Sequence, residues 1–167
     1  GKGMSVISLK DHTIKRYQHV SDDPDSLPGR LVVALCVDEQ RNIWVGTNKG
    51  LSIFNPATEK FTTFRHIPGD ENSLLSNQVL DIKQMRDGRL WICTNMGGVS
   101  ILDMQQNAFT SPTHIHFQNI PATNDVHGLS GPNARCAFQD SFGNIWLGNY
   151  RGGVDFISYA QPIFNML

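Results

Sequence analysis

The sequence predicts an all-β chain, a partial β-propeller of four-stranded antiparallel blades, on three observations. Its three tryptophans stand in one repeated frame: Ile43-Trp44-Val45-Gly46-Thr47, Leu90-Trp91-Ile92-Cys93-Thr94 and Ile145-Trp146-Leu147-Gly148-Asn149. A leucine precedes each tryptophan by 17 positions (Leu27, Leu74, Leu129), with no gap in the intervening alignment. The tryptophans are spaced by 47 and then 55 residues, and each unit holds several strand-like runs without helical periodicity. A period of about 40–50 residues built from short strands is the signature of a propeller array, in which no unit can bury its faces without its neighbours.

Each unit reads as four strands, A to D. Strand A is a short apolar run, Leu31 to Val37 in the first full unit, suited to an innermost strand buried on both faces. A polar turn follows, Asp38 to Asn42 in one unit and Asp140 to Asn144 in another, where Gly or Asn takes the positive φ that a tight hairpin requires. Strand B carries the tryptophan, a large flat side chain that fills the space between blades. Strand C opens on a glycine: Gly50-Leu51-Ser52-Ile53, Gly98-Val99-Ser100-Ile101 and Gly153-Val154-Asp155-Phe156, with Gly3-Met4-Ser5-Val6 as a fourth copy. Strand D is the aromatic run Phe61-Thr62-Thr63-Phe64, matched by Ile14-Lys15-Arg16-Tyr17. Equal spacing from strand C places its first residue at Phe109 in the next unit and at Phe164 in the last. In the middle unit Met85 and Cys93 stand where the others have Asp and Gly, which is expected to change packing there.

This frame divides the chain into strands C and D of a blade (1–27), two whole blades (28–74 and 75–129) and a nearly complete one (130–167). About three and a half units fall short of the usual 4–8 blades of a closed ring. The expected partners are therefore the remaining blades or a second propeller of a parent chain, or a homodimer, because the end blades would otherwise expose apolar faces.

The pattern closely resembles the two-component regulator propeller repeats of the periplasmic sensor regions of hybrid two-component systems, especially those of Bacteroides-type bacteria. The resemblance is carried by Asp25-Ser26-Leu27 and Asn72-Ser73-Leu74, by the turn and strand from Asp140 to Trp146, and by Gly50-Leu51-Ser52-Ile53-Phe54, and it covers essentially the whole chain. In that family two propellers usually precede an immunoglobulin-like domain, a membrane helix, a histidine kinase, a receiver and a DNA-binding output domain. The resemblance implies a non-catalytic, periplasmic sensor segment of an inner-membrane protein, which recognises an oligosaccharide or other small solute or passes a signal through a propeller interface. Two other readings stand beside it. A propeller enzyme of the streptogramin-lyase type has similar repeats and uses a metal with a histidine base, but the histidines here fall on outer strands or, with His127, in a long loop. The third reading is a pure interaction scaffold.

Composition narrows the choice. The 14 Lys+Arg nearly balance the 15 Asp+Glu and form no run, which disfavours nucleic-acid binding and contact with a membrane surface. Cys36, Cys93 and Cys136 form no CxxC pair and no zinc-like spacing, so free thiols without disulfides are expected. His19, His66 and His114 recur at aligned positions, each followed by Val or Ile. Equivalent places on successive sheets are about 10 Å apart and cannot converge on one ion, so loop capping is the expected role. The Asp-x-Gly-x-x-Trp spacing of a sialidase Asp-box is missed: Trp44 and Trp146 lie six residues after Asp38 and Asp140, and Trp91 lies only four after Asp87. No nucleophile elbow, zincin helix motif or phosphate loop is found, and no cofactor or metal is expected.

In an up-and-down blade the D-to-A and B-to-C connections share one face, and the A-to-B and C-to-D turns share the other. Long, varied loops on a rigid scaffold are where binding concentrates, so the first face is the expected recognition surface. Its D-to-A connections are read as His19 to Leu27, His66 to Leu74 and Gln118 to Leu129. Candidate ligand residues are Asn95, Met96, Asn149, Tyr150 and Arg151 of the B-to-C loops, with Asp81, Lys83 and Arg135 of strand A lining the channel. Salt bridging within the channel is the alternative role for the charged three.

Overall fold

Thirteen strands form among the residues that the computed structural model describes, 3–104, 115–122 and 129–159. They make four antiparallel meanders. β1 (Met4–Ile7) pairs with β2 (Ile14–Tyr17). β3 (Val32–Val37), β4 (Ile43–Thr47), β5 (Gly50–Asn55) and β6 (Lys60–Phe64) form a four-stranded sheet. So do β7 (Val79–Gln84), β8 (Leu90–Thr94), β9 (Gly98–Leu102) and β10 (Phe117–Pro121). β11 (Ala134–Gln139), β12 (Ile145–Asn149) and β13 (Gly153–Ile157) form the fourth. Each strand A carries a register shift in the same place, at Val32/Ala34, Val79/Asp81 and Ala134/Cys136. The glycine opening strand C is needed for its backbone: Gly50 has φ +139°, and a Cβ there would lie 2.8 Å from the Phe64 carbonyl of the neighbouring strand.

The third strand D is not where equal spacing puts it. Phe117 pairs with Leu102 as Phe61 pairs with Phe54, so this strand is β10 and does not begin at Phe109. Register follows backbone pairing and burial of the leading aromatic, and Phe117 is 4% exposed. The extra residues of the 55-residue unit thus fall between strands C and D, on the A-to-B side, and residues 118–121 belong to strand instead of loop. Ala122, and not His114, holds the place that corresponds to His66. Phe109, His114, His127 and Phe164 lie outside the described residues.

Three apolar cores separate the four sheets. Met4 and Tyr17 of the first pack against Val45, Phe54 and Phe61 of the second, with Tyr17 edge-on to Phe54 at 4.8 Å between centroids. Trp44, Ile53 and Phe64 of the second pack against Val79, Ile82, Ile92 and Phe117 of the third. Trp91, Cys93 and Ile101 of the third meet Ala134, Ala137 and Leu147 of the fourth. Trp44 and Trp91 are fully buried, each filling the space toward the following sheet. Truncating such a side chain to alanine costs about 3–5 kcal/mol. Trp146 rests on Phe156 and is 40% exposed, since the described residues place no sheet beyond it. Strand A is not buried on both faces throughout: Val33, Leu35 and Val37 of β3 are about half-exposed, because among the described residues the preceding sheet holds only strands C and D.

Candidate functional site

The turn after strand A shows what the repeated aspartate does. Asp38 is buried, and its carboxylate accepts from the Trp44 indole at 2.8 Å and from the backbone and side-chain nitrogens of Asn42, both at 2.8 Å. Asp140 repeats this with Trp146 at 3.0 Å and Asn144. These donors favour the ionised form, the Trp146 indole foremost, and lower the Asp140 pKa. Met85 offers no such acceptor, and the buried Trp91 Nε1 has no hydrogen-bond partner.

The D-to-A connections are built as caps. His19 Nδ1 lies 2.8 Å from the Leu27 carbonyl, and His66 Nδ1 lies 2.8 Å from that of Leu74, so in each ring Nδ1 carries the proton. Ser26 and Ser73 close the same loops, each accepting from the backbone nitrogen after its histidine, at 3.0 and 2.9 Å. The loops then grip the following sheet: Phe61 N donates to the Asp25 carbonyl and Phe117 N to that of Asn72, both at 2.8 Å. Two of the loops chosen for variety are thus one structure made twice.

The candidate ligand residues divide into three groups. Arg135, Tyr150, Arg151, Met96 and Asn95 come together on the D-to-A and B-to-C face. Asn133 joins two B-to-C loops there, its side chain accepting from Met96 N at 2.9 Å and its carbonyl from Tyr150 N at 3.0 Å. Asn95, the neighbour of Met96 in the chain, donates to the Gln78 side chain at 2.7 Å. Arg135 and Arg151 place their guanidinium carbons 5.1 and 5.2 Å from the centre of the half-exposed Tyr150 ring. Asn149 stands apart, donating to Asp155 at 2.6 Å and lying 3.4 Å from the Ser130 hydroxyl. It takes the place of Thr47 and Thr94, which bond the glycine carbonyl that opens strand C.

Asp81 and Lys83 belong elsewhere. Asp81 accepts from Ala137 N across the sheet junction at 3.1 Å, which ties β7 to β11. Lys83 lines a groove of about 380 Å³ at the A-to-B end, with Glu39, Gln84, Arg86, Phe138 and Gln139. Two glutamines build that groove and were missed from sequence. Gln84 donates to the Gly88 carbonyl at 3.0 Å and accepts from Glu39 N at 2.8 Å. Gln139 does the same with Gly143 and, at 2.8 Å, with Arg86 N. Their signal was a glutamine ending strand A in two units, obscured by Val37 in the other. The three cysteines are free thiols, and burial pushes that of Cys93 well up. Among the described residues no three His, Cys, Asp or Glu side chains are grouped to hold a metal.

Four antiparallel meanders packed in succession, three of them with a tryptophan in the equivalent place, define a segment of a β-propeller. Residues 26–49 and 128–151 match the model of the two-component regulator propeller family. It is similar, at 40% identity and a TM-score of 0.75 over 96% of its length, to the extracellular domain of BT3049 from B. thetaiotaomicron, described as a hybrid two-component system. The extracellular domain of BT4673 from the same organism, described likewise, matches at 25% identity and a TM-score of 0.71 over 89%. The chain spans 18% and 20% of those two chains. PorZ of Porphyromonas gingivalis, a surface component of the type-IX secretion system, shares the fold at 16% identity and a TM-score of 0.63, over 93% of this chain and 22% of its own. A comparison with curated proteins gives no match. The chain is therefore homologous to extracellular domains assigned to hybrid two-component systems, and no helix among its described residues is long and apolar enough to cross a membrane.

Proposed function

We propose that the chain is a non-catalytic sensor segment from the periplasmic region of an inner-membrane hybrid two-component protein, and that its D-to-A and B-to-C face recognises a small solute such as an oligosaccharide. The observation that carries this reading is the 40% identity to a two-component extracellular domain, sustained over 96% of the chain. The geometry supports it: Asn133 holds the two B-to-C loops together, and the half-exposed Tyr150 and exposed Met96 rise beside polar groups already fixed by backbone bonds. Preformed sites that combine apolar surface with a few placed polar groups bind solutes without a large ordering cost.

The test is calorimetric titration of the chain with a panel of plant and host oligosaccharides. Tyr150→Ala and Arg151→Ala are expected to weaken the response, and Glu39→Ala and Gln40→Ala, at the A-to-B end, to leave it unchanged. All four are surface changes expected to move stability by less than about 0.5 kcal/mol, which separates lost recognition from unfolding. Because Glu39 borders the 380 Å³ groove, equal loss from both ends, or loss from the A-to-B end alone, would transfer recognition to that groove and refute the choice of face.

A further inference from the structure

The charge on the recognition face is divided: its D-to-A connections carry Asp22, Asp23, Asp25, Asp70 and Glu71, whereas the segments that open strand A and the B-to-C loops are basic. Residues 28–31, 75–79 and 130–135, where strand A begins, and the B-to-C loops 47–50, 94–98 and 149–153 carry Arg30, Lys49, Arg135 and Arg151 and no acidic residue. The A-to-B turns at the other end mix both signs, with Asp38, Glu39, Asp87 and Asp140 against Arg41, Arg86 and Arg89. Among the described residues none of the four rim cations forms an ion pair, although Lys15, Lys60 and Arg89 elsewhere do. The nearby carboxylate of Asp155 is occupied by Ser130 N, at 3.1 Å from each oxygen, and by Asn149 at 2.6 Å.

Two of these cations are brought to one ring. Arg135 comes from strand β11 and Arg151 from the following B-to-C loop, where it takes the left-handed φ of 61°, and both reach Tyr150. Like charges gathered without a counterion repel one another. A tyrosine face offsets part of that cost while leaving the guanidinium N–H forks unspent, and those forks fit an oxyanion two bonds at a time. Tyr150 is itself fixed, its backbone nitrogen bonded to Asn133 at 3.0 Å. Exposed Met96, held on the same Asn133, adds an apolar wall.

We propose that Arg135, Tyr150 and Arg151 form an oxyanion subsite, so that the solute recognised on this face is an acidic saccharide bearing a carboxylate or a sulfate. The proposal rests on the sensor reading above and narrows its ligand class. The two arginines supply paired donors to the anion, and Tyr150 positions them.

The experiment titrates the chain with tetragalacturonate, a chondroitin sulfate tetrasaccharide and neutral galactotetraose, at low and at physiological salt. The expected result is binding of at least one acidic probe at least tenfold tighter than the neutral one, weakened by salt; which acidic probe binds separates carboxylate from sulfate. The double variant Arg135→Gln with Arg151→Gln should lower acidic binding at least tenfold and leave the neutral probe unaffected. Tyr150→Phe, which keeps the ring, should retain affinity where Tyr150→Leu loses it, and a far-ultraviolet circular dichroism spectrum like that of the parent checks each fold. Equal affinity for acidic and neutral probes, or an unchanged double variant, overturns the subsite and leaves the sensor reading standing. No binding by any probe here, nor by the wider oligosaccharide panel, overturns both.

Discussion

Replacing Asp38 by alanine removes one carboxylate and three hydrogen bonds, from the Trp44 indole and from both nitrogens of Asn42, each at 2.8 Å. The three are unequal. Asn42 is partly exposed, so water takes over much of its share, whereas Trp44 is fully buried and its Nε1 is left with nothing. An orphaned buried donor costs about 1–3 kcal/mol and a bond to a charged acceptor about 1.5–3, so a loss of about 2–4 kcal/mol is expected once the overlap is counted. For a domain of this size, about 3 kcal/mol corresponds to a fall in Tm of about 6–12 °C. Thermal and urea unfolding followed by circular dichroism measure it directly. The same change in a Trp44→Phe background, where the donor is already gone, should cost less by about 1–2 kcal/mol. Asp38→Met, which copies the middle turn, should cost less than Asp38→Ala, since Met85 shows that an apolar side chain can fill the place over an unpartnered indole. A loss below about 0.5 kcal/mol for Asp38→Ala, or an equal loss in both backgrounds, would refute the role given to the turn.

Two further outcomes follow from local chemistry. The folded Asp140 has a lowered pKa, so its contribution is complete above the ordinary carboxylate value of about 3.9 and is lost as the pH falls through the lower folded value; the Trp146 indole proton resonance should titrate below that value, and a midpoint at or above it would contradict the assignment. In denaturant without reductant all three cysteines should react with a thiol reagent, and in the native protein exposed Cys136 should react first and buried Cys93 last; fewer than three denatured thiols would reveal a disulfide.

Much of the fold was legible because the unit is written repeatedly. Trp44, Trp91 and Trp146 do occupy equivalent places on adjacent sheets, and His19 and His66 cap loops as their recurrence implied. Sequence spacing failed at the third strand D, where a phenylalanine at the repeated distance, Phe109, competed with the one that pairs, Phe117. Spacing cannot separate two aromatics when residues are inserted between them; only backbone pairing with Leu102 does so. At the candidate site, face and loop could be read from meander topology, which brings Tyr150 and Arg151 near Arg135. What escaped was the side-chain partner: Asn149 bonds Asp155 and Asp81 bonds a backbone nitrogen, roles that depend on three-dimensional neighbours.

The three cores between the sheets are not copies, although the strands around them nearly are. One is closed by a trio of aromatic rings, Tyr17, Phe54 and Phe61. The next sets Trp44, Phe64 and Phe117 among branched aliphatics, and the last sets Trp91 and Cys93 against the small side chains of Ala134 and Ala137. Near-identical repeats risk pairing out of turn as they fold, which is a characteristic failure of repeat proteins. Here a sheet docked on the wrong neighbour would meet a surface of the wrong volume, Trp91 pressed where ring edges are required or Tyr17 where only a methyl group fits. The unequal cores thus act as addresses: what makes the blades recognisable as kin lies in their turns, and what fixes their order lies in the seams.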